Sequence, residues 1–152
     1  MAATPRILGW RVATGTTWAQ ASRQDKAGRW HYAGSELVYV SSTPELAVLE
    51  ALAHHRPGRS GYWLSRVMTR ARLSDRMVRL DALGPDWRKH KRSSRRLGHR
   101  WLQEGDVPLL NVPSALCGLA RNLLINPALV PPGSVWIEPV TRFRFDRRLV
   151  QR

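Results

Sequence analysis

Cysteine occurs once in these 152 residues, at Cys117. No internal disulfide can form, and a cysteine-based metal site is excluded. No run of about 18 apolar residues occurs, so no membrane-spanning helix is expected. The opening MAATPRILGWRVATG lacks a long apolar stretch and does not read as a signal peptide. No phosphate-loop or dinucleotide-binding glycine fingerprint is present, which removes the P-loop and Rossmann readings. A cytoplasmic globular protein, with no membrane association, is the expectation.

Acidic residues are also few, 11 against 25 basic ones, giving a net charge of +14. Lysine supplies only Lys26, Lys89 and Lys91, so the remaining 22 basic residues are arginine. Arginine presents a planar fork that grips phosphate or carboxylate through two bonds. The excess therefore points to an anionic partner: nucleic acid, a nucleotide or an acidic protein. The apolar fraction of 43% is enough for a real core and too high for a disordered chain.

Without repeats or low-complexity tails, the chain reads as one α+β domain over residues 1–152. Its mixed or antiparallel sheet is flanked by helices. Residues 6–13 read as a first strand carrying Arg11, and residues 14–35 as a long loop. Leu37–Val40 reads as a short strand. Ser42-Thr43-Pro44-Glu45 has the spacing of a capping box opening a helix, with Leu46, Leu49, Leu52 and Ala53 as its apolar face. His54-His55 and Arg56-Pro57-Gly58 close it. Residues 61–68 and 77–80 are candidate strands, Leu109–Val112 leads into Pro113-Ser114, and residues 119–126 are an apolar run with Asn122 embedded, closed by Pro127. Val135–Pro139 and Phe143–Phe145 read as a closing pair. A basic stretch from Trp87 to Leu102 has Leu97, Trp101 and Leu102 as a helical stripe.

Several residues carry chemical possibilities. Glu50 borders the apolar face of the first helix, where an acid is either a solvated flank or a working carboxylate. Arg11, Arg29 and Tyr39 are either surface and core residues or a set that clamps a pyrophosphate and stacks on a flat ring. Ser114 follows Pro113 without a nucleophile-elbow motif, so a serine hydrolase is poorly supported. His31, His90 and His99 show no ligand spacing, and His54 and His55 point to different faces of a helix, so no metal is expected. The basic stretch 88–100 fits either a solvated helix or a nucleic-acid contact, with little aromatic interleaving for stacking.

Taken in order, Trp10-Arg11-Val12, Gly28-Arg29-Trp30, Leu37-Val38-Tyr39, Leu49-Glu50, Val112-Pro113-Ser114-Ala115, Asn122 to Asn126-Pro127, and Phe143-Arg144-Phe145-Asp146-Arg147-Arg148-Leu149 resemble the RES domain family. The resemblance spans nearly the whole chain. It implies an ADP-ribosyltransferase-like fold and a toxin of a type II toxin–antitoxin system, paired with an Xre-like DNA-binding antitoxin. It implies NAD as substrate, consumed by hydrolysis or phosphorolysis of the nicotinamide–ribose bond, or used to transfer ADP-ribose to a protein acceptor. Carried over by motif, Glu50, Arg29 and Ser114 take catalytic roles, and Arg11, Tyr39 and Asn122 bind NAD. The chain departs from the family pattern at His31, where many members carry asparagine, and around Asn122. The alternative from another class is a non-catalytic basic module that binds nucleic acid.

Overall fold

The computed structural model describes residues 3–54 and 60–151. Seven strands, β1 (Arg6–Ala13), β2 (Val38–Ser41), β3 (Tyr62–Thr69), β4 (Asp75–Met77), β5 (Leu109–Pro113), β6 (Arg121–Ile125) and β7 (Val135–Phe143), form one sheet in the order β4-β5-β6-β2-β1-β3-β7. Its pairings are antiparallel except β4 with β5. With helices α1 (Trp18–Ser22), α2 (Pro44–His54), α3 (Arg92–Glu104) and α4 (Arg147–Val150), this is the expected α+β architecture. No described helix is long and apolar enough to cross a membrane.

Side chains alternate across a strand, and residues paired directly opposite share a face. Trp10 pairs with Ser41, Ser41 with Asn122, and Asn122 with Val112. One face therefore carries Trp10, Val12, Tyr39, Ser41, Val112, Asn122 and Leu124. Two apolar clusters cover it. Trp87, Leu97 and Trp101 pack with Leu110, Val112 and Leu124, while Ala47 and Ala51 of α2 pack with Val12 and Tyr62. The opposite face carries Val38, Val40, Val67 and Ile125, packed under Trp18 and Ala21 of α1.

Several local expectations are corrected. Residues 14–35 contain α1, opened by a capping box in which Thr17 accepts from the Gln20 amide and Gln20 reaches back to the Thr17 amide. At α2 the cap is Thr43, whose Oγ1 accepts from the Leu46 amide, because Pro44 occupies the first helical position. The buried stripe of α2 is Leu46, Ala47 and Ala51, while Leu49 is exposed. The expected strand 77–80 is displaced to β4, with a 3-10 turn at Leu80–Ala82. The closing pair is one edge strand, β7, with a bulge between Pro139 and Thr141 opposite Ser65 and Leu64. Pro139 has no N–H to give a ladder, and edge strands tolerate that. The expected stop at His55 to Gly58 lies outside the described residues.

Helix α3 turns Ser94, Gly98 and Trp101 inward, at the i, i+4, i+7 spacing of one helical face. It ends at Gly105 (φ 60°), whose amide donates to the Trp101 carbonyl. Its inward face receives the turn Gly28–His31. Ser94 Oγ donates to the Arg29 carbonyl at 2.7 Å and Arg95 Nε to the Gly28 carbonyl at 2.8 Å. A Cβ added at Gly98 would lie 1.8 Å from the Trp30 carbonyl oxygen, so only glycine allows this approach. The basic stretch is thus not simply a solvated helix. Part of it is the seat of a loop.

Candidate active site

The apolar face under α3 becomes polar toward one end, where Ser41, Asn122 and Ser114 replace the valines and leucines. Helix α2 brings Glu50 to this end. Glu50 stands three residues after Ala47 and four after Leu46, so it shares their inward stripe rather than the exposed side of Leu49. Its Oε1 accepts from Ser114 Oγ at 2.9 Å and from Asn122 Nδ2 at 2.7 Å. Ser41 Oγ donates to Asn122 Oδ1 at 2.9 Å, and the Glu50 carboxylate, which can only accept, fixes which way that amide faces. Glu50 Oε2 lies 3.8 Å from His54 Nδ1, and that nitrogen is 2.7 Å from the Glu50 carbonyl oxygen.

Ser114 is fully buried, and its hydroxyl also accepts from the Leu116 and Cys117 amides at 3.1 and 3.2 Å. It therefore caps the following turn while its proton goes to Glu50. No described residue is placed as a base to take that proton in its stead, so the arrangement suits a carboxylate anchor rather than a serine nucleophile.

Arg29 is tied down through its fork: Nη1 donates to the Trp87 carbonyl at 2.9 Å and Nη2 to the Arg88 carbonyl at 3.1 Å. Its guanidinium also lies over the Trp87 ring, 5.4 Å from the centroid. Burial lowers its pKa, and the charges of Glu50 and Tyr39 oppose that shift, so these groups lie within electrostatic reach of one another. Two N–H bonds of a five-donor fork are used, which leaves donors for an anion.

Tyr39 is less open than a stacking platform on a strand end would be. Its ring packs against the cluster under α3, and its hydroxyl lies 2.5 Å from His31 Nδ1. Burial raises its pKa. His31 is itself buried, with Nε2 2.7 Å from the Lys26 carbonyl oxygen. Burial lowers the His31 pKa, and the charge of Arg95 adds to that.

Glu50, Ser114, Asn122, Arg29 and Tyr39 are thus brought together, but Arg11 is not. Trp10 and Val12 share the face of Ser41, so the pleat turns Arg11 to the other side of the sheet, beside Ser65. There its Nη1 is buried without a hydrogen-bond partner, and burial pushes the guanidinium pKa down to about 10. Two open surface depressions, one lined by Leu80, Gly84, Pro85, Trp87 and Arg88 and the other by Tyr32, Glu36, His99 and Gln103, are not lined by Glu50. The first adjoins the carbonyls that hold Arg29. Sequence reasoning did not nominate Ser41, Arg95 or His31 for the site. Ser41 was detectable, because it is two residues after Tyr39 on the same strand face.

Residues 8–148 match the model of the RES domain. The protein named Toxin Res from Pseudomonas putida is 32% identical over 145 residues, covering 94% of this chain and 99% of that one. The Prs ADP-ribosylating toxin of a Sphingobium species is 29% identical over 157 residues, covering 94% and 96%. The fold is similar to that of a chain in the crystal structure of the M. tuberculosis MbcT–MbcA toxin–antitoxin complex, with a TM-score of 0.62 at 13% identity, covering 95% of this chain and 85% of that one. On the match of its family model over nearly the whole length, the chain belongs to the RES domain family.

Proposed function

We propose that this protein is the toxin of a toxin–antitoxin pair and that it breaks the nicotinamide–ribose bond of NAD. The observation that carries the reading is the anchored carboxylate of Glu50, held by Ser114 and Asn122 with Arg29 and Tyr39 close by. When the glycosidic bond breaks, its electron pair leaves with the ring nitrogen. The positively charged pyridinium becomes neutral nicotinamide and needs no proton. The ribose is left with oxocarbenium character. A fixed carboxylate offsets that growing positive charge and holds a ribose hydroxyl, and its electrostatic effect is greatest where it needs no reorganisation. The spare donors of Arg29 hold a phosphate, and Tyr39 borders the flat ring. Arg11, on the far face, takes no part. An Xre-like antitoxin that covers this cleft would silence the protein.

Nicotinamide release from NAD by the purified protein tests the reading. Glu50→Gln keeps an acceptor for Ser114 and Asn122 but removes the charge. It is expected to lower kcat by about a hundredfold or more with little change in melting temperature. Full activity in this variant would overturn the role of Glu50.

Transfer of ADP-ribose to a protein is a second reading, supported by the similarity to the Prs ADP-ribosylating toxin. The same bond breaks, and a protein side chain replaces water or phosphate as the acceptor. NAD labelled in its adenylate half separates these outcomes. Label on a protein band means transfer, free ADP-ribose means hydrolysis, and a phosphorylated ADP-ribose formed only with inorganic phosphate means phosphorolysis.

A further inference from the structure

His31 lies between a backbone carbonyl and a phenol, and that pairing fixes its proton. The Lys26 carbonyl can only accept, so at 2.7 Å it requires a proton on Nε2. In the neutral ring Nδ1 is then an acceptor, and at 2.5 Å it takes the Tyr39 hydroxyl proton. The rings meet edge to face with centroids 5.4 Å apart. The imidazole is locked from behind as well. The Gly28 amide donates to the His31 carbonyl at 3.0 Å, and a Cβ at Gly28 would meet His31 Cε1 at 2.3 Å. Helix α3 in turn holds the Gly28 and Arg29 carbonyls through Arg95 and Ser94.

We propose that His31 is a positioning residue whose neutral Nε2–H form clamps the Tyr39 hydroxyl as a donor and so fixes the Tyr39 ring at the candidate site. The inference rests on the NAD-cleaving reading for its effect on activity, but the clamp itself does not. The direction of the hydroxyl matters chemically. While His31 is neutral, the Tyr39 proton points away from the ligand, and the oxygen presents only lone pairs elsewhere. Once His31 gains a proton, Nδ1–H becomes a donor to the Tyr39 oxygen. The phenolic hydrogen must then rotate to another acceptor, so the hydroxyl turns its proton toward the candidate site while the contact with His31 remains. The charged groups facing this pair are Arg95 from α3, Arg29 from the same turn, and Glu50 from α2 through its interaction with Tyr39. Burial and, less strongly, the charge of Arg95 oppose protonation of His31 against the pull of the Lys26 carbonyl, which keeps the clamp closed near neutral pH.

Two variants separate the two bonds of the ring. In His31→Asn the side-chain oxygen can stand where Nδ1 stood and still accept from Tyr39, while the link to Lys26 is lost. In His31→Gln the terminal amide can stand where Nε2 stood and keep the Lys26 link, while the acceptor for Tyr39 is lost. The expected result is a KM for NAD raised about tenfold in His31→Gln but only about threefold in His31→Asn, at similar melting temperatures. The fall in kcat/KM of the wild type below pH 6.5 should vanish in His31→Asn, which cannot titrate. Equal losses in the two variants, or an acid limb that persists in His31→Asn, would mean that the imidazole only fills space. Nitrogen-15 NMR of the wild-type protein at pH 7.5 reads the clamp without any turnover. A protonated Nε2 and an unprotonated, hydrogen-bonded Nδ1 are expected, and the opposite tautomer overturns the proposal. If the wild type leaves NAD intact while NMR shows the Nε2–H form, the NAD reading fails and the clamp stands.

Discussion

Asn122 Nδ2 and Glu50 Oε1 lie 2.7 Å apart although 72 positions separate them in the chain. The amide can face only one way, because the carboxylate can only accept, and its other end accepts from Ser41. Replacing this donor with an acceptor of the same shape should be worse than removing it. In Asn122→Asp a second carboxylate would stand against Glu50, and two carboxylates at this distance resist joint ionisation. NAD turnover at pH 7.5 is expected to fall about tenfold further in Asn122→Asp than in Asn122→Ala. A milder effect of aspartate would mean that the pair is not held as described.

Arg11 gives the opposite kind of expectation. Its guanidinium is buried with one nitrogen unpartnered, and burial of an uncompensated cation costs stability. Arg11→Met keeps most of the volume and removes the charge. It should leave the melting temperature unchanged or raise it by a few degrees, and NAD turnover should stay within about twofold. A tenfold rise in KM would show that Arg11 reaches the ligand after all.

Gly98→Ala reverses a common rule. In a helix interior alanine is better than glycine by about 1 kcal/mol. Here the new methyl would meet the Trp30 carbonyl oxygen at 1.8 Å, and that oxygen belongs to backbone that cannot swing aside. The clash outweighs the propensity gain, and a net loss of about 2–4 kcal/mol is expected in denaturant unfolding. A stabilised variant would mean that the Gly28–His31 turn is not seated on α3.

Acid should weaken the fold through His31. Its pKa in the folded chain lies below the ordinary 6.5, chiefly because it is buried. The unfolded chain therefore takes up the proton first as pH falls. Stability from this group is complete above pH 6.5 and declines below it, with a slope of at most about 1.4 kcal/mol per pH unit. Melting curves between pH 7.5 and 5 should show this decline, and His31→Asn should flatten it. An unchanged slope would place the acid sensitivity elsewhere.

Strands β1, β2 and β3 were legible in the sequence, whereas β5 and β6 read only as short apolar runs, because a strand buried on both faces loses the alternation that marks an edge. Glu50 was legible as an acid beside an apolar face, although the face was assigned to Leu49 rather than to Ala47 and Ala51. Small alanines give a weak hydrophobic signal, yet they allow α2 to lie close to the sheet. Arg11 was grouped with Arg29 because both are arginines near the start of the chain. Which side of the sheet each faces depends on register, and β1 shifts register between Ile7 and Gly9. His31 attracted no role, since a lone histidine in a loop shows nothing of the tyrosine it meets. The contact with Tyr39 comes from a turn held by a helix more than sixty residues later, at Ser94 and Arg95.

The sheet order has a consequence for biosynthesis. Strand β2 is made early, but its neighbour β6 leaves the ribosome only after β3, β4 and β5. Until Asn122 has emerged, Glu50 lacks a donor on that side and Ser41 has no amide to hold. A prematurely terminated polypeptide would carry the acid and the arginine but no assembled cleft. On the proposed reading, the hazard to the cell that makes it would begin only once β6 has been made.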